Sequence, residues 1–373
     1  MHIQGNKTQK IFDKIIFCHK EHVDRIFGGL RIFDNSNKTV LSQLTKEFVE
    51  IPLQMSPSRW GRAFRTIRGI FRNYTNDDYD KITKEIDPIK KILLFVSHSQ
   101  YGTLIKEIKK KYPFVITASY FHNIEITMAY NRLIFYKKPL PLFEILRDYR
   151  NEMLCAKYSD EVYLLNRREE ILFKKFYSKR DVNICSVALP DKNERRLLKE
   201  PSGKLKLLFV GTYFWGNIPG LEMFINEVMP EINADLFVVG KDMERIQERT
   251  NIHLPNVHYI GRVTDDELNS YYLECDIFVA PIVAGGGMKT KVAEAMMYGM
   301  PIIGTTEAFC GYEIDIEEIG FCSDNISDYK GFIEELDKNR NKITVMSQRS
   351  RDYYSENYSV KNALNVYRST LLK

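Results

Sequence analysis

Short apolar runs of strand length alternate along most of this chain with longer stretches whose apolar positions recur every three to four residues. The short runs lack the polar alternation of a half-exposed strand and are too brief for a buried helix, so they read as strands covered on both faces, the pattern of a parallel sheet. In the first half they fall at 14–18, 92–97, 114–119, 161–165 and 182–187, with helical patterns over 57–73, 100–111 and 141–158. The polar stretch PDKNERRLLKEPSGK at 190–204 interrupts this pattern, and the series restarts at 205–211, 235–240, 257–261, 276–280 and 301–305. Strand and helix alternating twice over predict an α/β chain of two Rossmann-like domains with parallel sheets facing a central cleft. The expected division is residues 1–190, a linker over 191–204, a second domain over 205–355, and a C-terminal helix over 356–373 that packs back toward the first domain.

Length and charge narrow the picture. At 373 residues the chain exceeds a single comfortable core. Its 54 basic and 49 acidic side chains leave a formal charge of only +5, too little over this length to argue for a nucleic-acid partner. Six cysteines (Cys18, Cys155, Cys185, Cys275, Cys310, Cys322) are scattered without a C-x-x-C pair, which predicts reduced thiols and no zinc framework. No apolar run approaches the roughly 20 residues that span a bilayer, and MHIQGNKTQK at the N-terminus lacks the apolar core of a signal peptide. These features predict a cytoplasmic protein.

The densest chemistry lies in PIVAGGGMKTKVAEAMMYGMP, residues 281–301. A strand over 276–280 feeds it. Gly285, Gly286 and Gly287 allow a close backbone approach, so main-chain N–H groups can face an anion. A helix is predicted from about Met288, carrying Val292, Ala295, Met296 and Tyr298 until Gly299 and Pro301 stop it. Lys289 and Lys291 would place two cations in its first turn, where the helix dipole disfavours them, and that misfit argues for an anionic ligand. Glu294, one turn beyond Lys291, is placed to accept hydrogen bonds from paired sugar hydroxyls. Together they read as a socket for a nucleotide diphosphate.

The stretches FVGTYFWGNIPGLEMFINEVMPEI (209–232), NVHYIGRVTDDELNSYYLECDIFVAP (256–281), GGGMKTKVAEAMMYGMPIIGTTEAFCGYE (285–313) and, more weakly, SYFHNIE (119–125) carry a family resemblance. The chain resembles the retaining glycosyltransferases of family 4, the group 1 type, which includes sucrose synthase and bacterial lipopolysaccharide and capsule transferases and adopts the two-domain GT-B fold. The resemblance implies that Lys289 and Lys291 grip the donor diphosphate, Glu294 the ribose, and main chain at Gly261, Arg262 and Val263 the nucleobase, with Gly211 opening the loop that faces the phosphates. It implies that His122, at the end of a first-domain strand, touches the donor sugar or its phosphate, and that Gly28 and Gly29 form a loop on the acceptor side. An ordinary turn is the other reading of those two glycines. Many family members carry a second glutamate eight positions before the one matched by Glu294, and here that position is Gly286. The basic residue that often follows the Gly211 loop is also missing, which leaves the two lysines more charge to neutralise.

In 58–74, Trp60, Phe64, Ile67 and Phe71 fall on one narrow helical stripe, with Arg59, Arg62, Arg65, Arg68 and Arg72 opposite. Such a helix suits an anionic membrane surface; the competing reading is an outer helix with its stripe in the core and its arginines solvated. The expected function is transfer of a sugar from a UDP-, GDP- or ADP-sugar to a glycan or lipid-linked acceptor in capsule, exopolysaccharide or O-antigen synthesis. Without a D-x-D motif after a strand, no metal or other cofactor is expected, and Lys289, Lys291 and His122 are the catalytic candidates. Retention of anomeric configuration is implied by the resemblance. The alternative is a catalytically degenerate relative that binds a nucleotide sugar or a partner transferase.

Overall fold

A computed structural model describes residues 10–21, 29–54, 59–136, 140–193, 202–250, 253–285 and 287–372. Gly28 and Gly286, both singled out above, and residues 194–201 of the expected linker lie outside the described residues. The chain forms two compact units, Met1–Ala188 with Val360–Lys373, and Leu189–Ser359.

The first unit holds strands β1 (Phe12–Lys20), β2 (Thr45–Leu53), β3 (Ile92–Val96), β4 (Ile116–Phe121), β5 (Glu161–Leu164) and β6 (Asn183–Ile184). They pair in parallel in the order β2-β1-β3-β4-β5-β6. Every side chain of β3 is buried, as a central strand covered on both faces requires. The helix Val360–Leu371 belongs to this unit, where the Tyr367 hydroxyl donates to Asn37 Oδ1 at 2.7 Å and the Tyr367 ring meets Phe95 edge-on.

The second unit holds β7 (Leu205–Val210), β8 (Ala234–Val239), β9 (Val257–Gly261), β10 (Ile277–Ala280), β11 (Ile302–Gly304) and β12 (Gly320–Cys322), parallel in the order β12-β11-β10-β7-β8-β9. Leu207, Phe209, Leu236, Val238, Ile277, Val279 and Ile303 from its strands join Leu221, Phe224, Tyr329 and Phe332 in one core. The α/β class and the paired parallel sheets thus agree with the periodicity.

The differences have local causes. Strand β2 escapes the apolar-run criterion because it is an edge strand, paired only with β1, and can carry Lys46, Glu47, Glu50 and Pro52. Strand β4 starts two residues later than expected because Tyr112–Val115 closes a turn (Val115 N–H to Tyr112 O, 3.1 Å). The helical pattern over 57–73 yields a helix only over Arg59–Ile67. Gly69 stops it at φ +73°, with its N–H bonded to Thr66 O and that of Ile70 to Arg65 O, a glycine cap that satisfies the last carbonyls.

Three glycines meet at the strand ends that carry the second unit's loops. Gly211 N–H donates to Val239 O and Gly240 N–H to Gly261 O, while Gly240 holds φ +140°. A Cβ at Gly240 would lie 1.6 Å from the Gly211 carbonyl oxygen, in a backbone region closed to other residues. Gly240→Ala should therefore cost about 3 kcal/mol or more. Gly331, on the helix Tyr329–Lys338, has open space around its missing Cβ, so Gly331→Ala should stabilise by about 0.5–1 kcal/mol. Equilibrium denaturation of both variants checks the pair; a tolerated Gly240→Ala would contradict the packing at the strand ends.

Candidate functional site

Strand β10 is buried throughout and ends at Pro281, and the loop after it leads into the helix Thr290–Met297. Gly287 takes φ +63°, and Gly299 takes φ +67° just beyond the helix, where Met300 N–H bonds to Ala295 O. The loop is held against the segment 211–220 by two contacts that only glycine permits. A Cβ at Gly216 would sit 2.1 Å from Ala284 O, and one at Gly220 would sit 1.7 Å from Pro281 O. The sequence expectation needs one correction: the helix begins at Thr290, so Lys289 is its N-cap and only Lys291 stands in the first turn. A buried hydroxyl completes the helix start, because Tyr312 accepts from Ala293 N–H (3.0 Å) and donates to Lys289 O (2.7 Å).

The lysine ammonium groups are satisfied differently. Lys289 Nζ pairs with Glu307 Oε1 at 2.7 Å and donates to Gly287 O at 3.1 Å. Lys291 Nζ donates to Asn217 Oδ1 at 3.1 Å and stands over the Phe209 ring. Burial, reinforced by the neighbouring Lys289 charge, lowers the Lys291 pKa to about 7. Glu294 accepts from the Tyr272 hydroxyl at 3.2 Å, and burial raises its pKa. Asn217 in turn donates to Thr212 O at 2.9 Å, which ties Lys291 to the loop opened by Gly211. Gly211, Gly285, Gly287, Lys289, Lys291 and Glu294 are thereby gathered at the C-terminal ends of β7 and β10. Gly261 is linked to Gly211 through Gly240, with Arg262 exposed and Val263 half-buried after it. Asn217, Glu307 and Tyr312 were missed; the last two lie inside the quoted stretch 285–313, but no spacing tied them to the lysines.

In the first unit His122 follows β4 and is buried with Ser97, His98 and Asp34, the last on the helix Gly29–Leu41 that Gly29 begins. His122 Nε2 lies 2.5 Å from Ser97 O, so it carries the ring proton and donates it there. Ser97 Oγ donates to Asp34 Oδ1 at 2.5 Å, and His98 Nε2 lies 3.3 Å from Asp34 Oδ2. The ligating atoms of Asp34, His98 and His122 fall within 4.8 Å of one another, a spacing compatible with a metal set. The Ser97 contacts show the same atoms satisfied within a hydrogen-bond network. His122 Nδ1 has no hydrogen-bond partner among the described residues and is the atom left to accept one.

The basic helix departs from the reading that puts its stripe in the core. Phe64 and Ile67 are 53% and 64% exposed while Ala63 and Thr66 are buried, so the apolar stripe faces away from the core. Phe71 and Arg72 lie beyond the helix end. Nor are the arginines simply solvated: Arg72 pairs with Glu107 at 2.7 Å, Arg65 donates to Arg72 O, and the Arg68 guanidinium covers the Phe64 ring. The side chains of Arg59 and Trp60 lie outside the described residues.

Residues 204–337, which contain the glycine-lysine loop and nearly the whole second sheet, match the family model of group 1 glycosyl transferases. The chain is a transferase that carries a group 1 glycosyl transferase domain over these residues. An uncharacterised glycosyltransferase of Methanocaldococcus jannaschii is 20% identical over 292 residues, 74% of this chain and 72% of that protein. Among solved structures, the transferase is similar to sucrose-phosphate synthase from Thermosynechococcus elongatus (TM-score 0.71, 13% identity, 96% of this chain and 98% of that one). It is also similar to Anabaena HepE in complex with UDP-glucose (TM-score 0.67, 10% identity, 96% and 99%). A third is WaaG, a glycosyltransferase involved in lipopolysaccharide biosynthesis (TM-score 0.63, 15% identity, 95% and 98%). At these identities the structural likeness establishes the GT-B fold.

The His98 environment makes the transferase acid-sensitive. Burial holds its pKa at about 4, against the pull of Asp34 in the other direction. A depressed folded-state pKa means that the unfolded chain binds the proton first, so stability is whole above about pH 6.5 and falls as pH drops toward 4. The loss should reach about 2 kcal/mol by pH 5. Urea denaturation from pH 7.5 to 4.5, compared with His98→Gln, reads it; parallel curves for the two proteins would refute the assignment.

Proposed function

We propose that the transferase moves a sugar from a nucleotide-diphosphate sugar to a glycan or lipid-linked acceptor, with retention and without a metal, in synthesis of a surface polysaccharide at the cytoplasmic face of a membrane. The observation that carries this reading is the pair of lysines at the start of Thr290–Met297, one of them held short of full protonation by burial. Cleaving an anomeric C–O bond leaves negative charge on the departing diphosphate. Two ammonium groups and the positive end of the helix dipole at that place can take up this charge as a metal ion would. Glu294, half-buried one turn on, accepts from the ribose hydroxyls, and main chain at Gly261, Arg262 and Val263 meets the base. The family resemblance supports a role for His122 toward the donor sugar or its phosphate and an acceptor-side role for Gly28 and Gly29. HepE, solved with UDP and with UDP-glucose, supports a nucleotide-sugar donor, and the family resemblance supports retention.

Thermal shift with UDP, GDP and ADP identifies the base, since a ligand at 100 times its dissociation constant adds about 2.7 kcal/mol. Binding of the matching diphosphate should draw a proton onto Lys291, because an anion beside the ammonium raises its pKa from about 7. Calorimetry near pH 7.5 in buffers of different ionisation enthalpy should show uptake approaching one proton, abolished in Lys291→Ala. Lys289→Ala and Lys291→Ala should each lower transfer on the order of 100-fold. Near-normal transfer in both, or binding without proton uptake, rejects the lysine assignment.

The membrane part of the proposal rests on exposed apolar side chains of the first unit. Phe64 and Ile67 on Arg59–Ile67, Ile134 on Glu125–Tyr136, and Leu142 and Leu146 on Leu140–Tyr158 all face outward beside Arg62, Arg65 and Arg68. No helix among the described residues is long and apolar enough to cross a membrane. Partition onto phosphatidylglycerol vesicles, relative to phosphatidylcholine, should fall at least about tenfold in Phe64→Ser/Ile67→Ser, given the apolar area two such side chains bury. Equal partition of variant and parent would exclude this face.

A further inference from the structure

Glu307 stands where neither the sequence pattern nor the family resemblance placed a functional group. It follows β11 on the turn after Thr305, and that turn is pinned. Thr305 Oγ1 donates to Ile282 O, Thr306 N–H and Oγ1 both bond Asp324 Oδ1 at 2.9 Å, and Ala308 N–H bonds Thr305 O at 3.0 Å. The backbone is therefore fixed, and only the side chain can move. Its carboxylate reaches the glycine loop: a Cβ at Gly285 would meet Lys289 Nζ at 3.2 Å and Glu307 Oε1 at 3.5 Å. The bare face of Gly285 is thus covered by the ion pair itself, and any ligand seated on that loop meets the pair directly.

We propose that Glu307 is the sugar-recognising acid of the donor site: it neutralises Lys289 while the site is empty and accepts hydrogen bonds from the donor sugar's hydroxyls once a diphosphate has taken the lysine. This inference rests on the donor-site reading above. A diphosphate and a carboxylate cannot share one ammonium group cheaply, because the two anions repel at hydrogen-bond distance. The incoming phosphate displaces Glu307, whose side chain rotates on its fixed turn and needs new donors. The group attached directly to the distal phosphate is the sugar, and vicinal hydroxyls supply two donors in the geometry a carboxylate accepts. The chain has no carboxylate on the loop itself, where Gly285, Gly286 and Gly287 stand together. A product diphosphate lacks those hydroxyls, so in its presence Glu307 competes for Lys289 and favours release.

The consequence is a change of opposite sign for two related ligands. In Glu307→Gln the lysine is no longer masked, so the nucleoside diphosphate identified by thermal shift should bind about two- to fivefold tighter, the range of a partly exposed ion pair. The corresponding nucleotide sugar, tested as UDP-glucose, UDP-galactose, UDP-N-acetylglucosamine, GDP-mannose and ADP-glucose, should bind about tenfold weaker, the size of a lost hydrogen bond to a charged group. Titration calorimetry on the full chain measures both, and unchanged urea denaturation confirms that the variant is folded. Opposite shifts support the proposal. Any other pattern, in a protein whose parent binds the diphosphate, overturns it. A parent that binds none of UDP, GDP and ADP overturns the donor-site reading itself and leaves a distinct signature.

Discussion

Two ammonium groups held at the positive end of a helix are the constraint around which the second unit is arranged. Neither the dipole nor the mutual repulsion of Lys289 and Lys291 favours this placement. The surrounding residues answer to it in different ways. Glu307 supplies a compensating charge for Lys289, Asn217 a neutral acceptor and Phe209 a π face for Lys291, and burial lowers the Lys291 pKa to about 7. Tyr312, inserted between Lys289 O and Ala293 N–H, secures the helix start from within. These partners compensate the two charges from within the unit itself.

That arrangement depends on backbones approaching more closely than side chains allow. Gly216 and Gly220 let the loop after β7 rest on Ala284 and Pro281, and Gly240 lets the ends of β7 and β9 meet across β8. A parallel sheet brings its loops together at the C-terminal edge, and the glycines determine how near those loops come. Phe209 and Asn217, from one side of that contact, then reach Lys291, from the other. The electrostatics of the site are therefore inherited from the steric rule at the strand ends.

The sequence showed the central strands because their apolar runs report burial on both faces, as β3 and β10 do. It did not show β2 or β12. Both are edge strands, which can do without the apolar run that burial on both faces demands, and β2 carries charges and proline. The glycine-lysine loop was legible because glycine, lysine and helix signals fall within a few residues of one another. Glu307 and Tyr312 act on the same loop from 18 residues or more along the chain, through a turn pinned by Asp324 and a tyrosine hydroxyl, and nothing local marks them. The stripe of Phe64 and Ile67 was visible, but a helical period does not say which side of a helix the core takes. Ala63 and Thr66, small enough to pack closely, are the residues turned inward.

The first unit solves a complementary problem. There a carboxylate, Asp34, is buried instead of an ammonium, and its partners are Ser97 and His98, whose own protonation burial suppresses. Were His98 and His122 both charged, two imidazolium ions with ring centres 4.4 Å apart would face one carboxylate. Keeping His98 neutral leaves Asp34 to orient donors, and the Ser97 carbonyl directs the His122 proton to Nε2. The outcome leaves His122 Nδ1 without a hydrogen-bond partner among the described residues. The two units thus handle charge in opposite ways: the second surrounds ammonium groups with a carboxylate, an amide oxygen and a ring face, and the first surrounds a buried carboxylate with a hydroxyl and an imidazole.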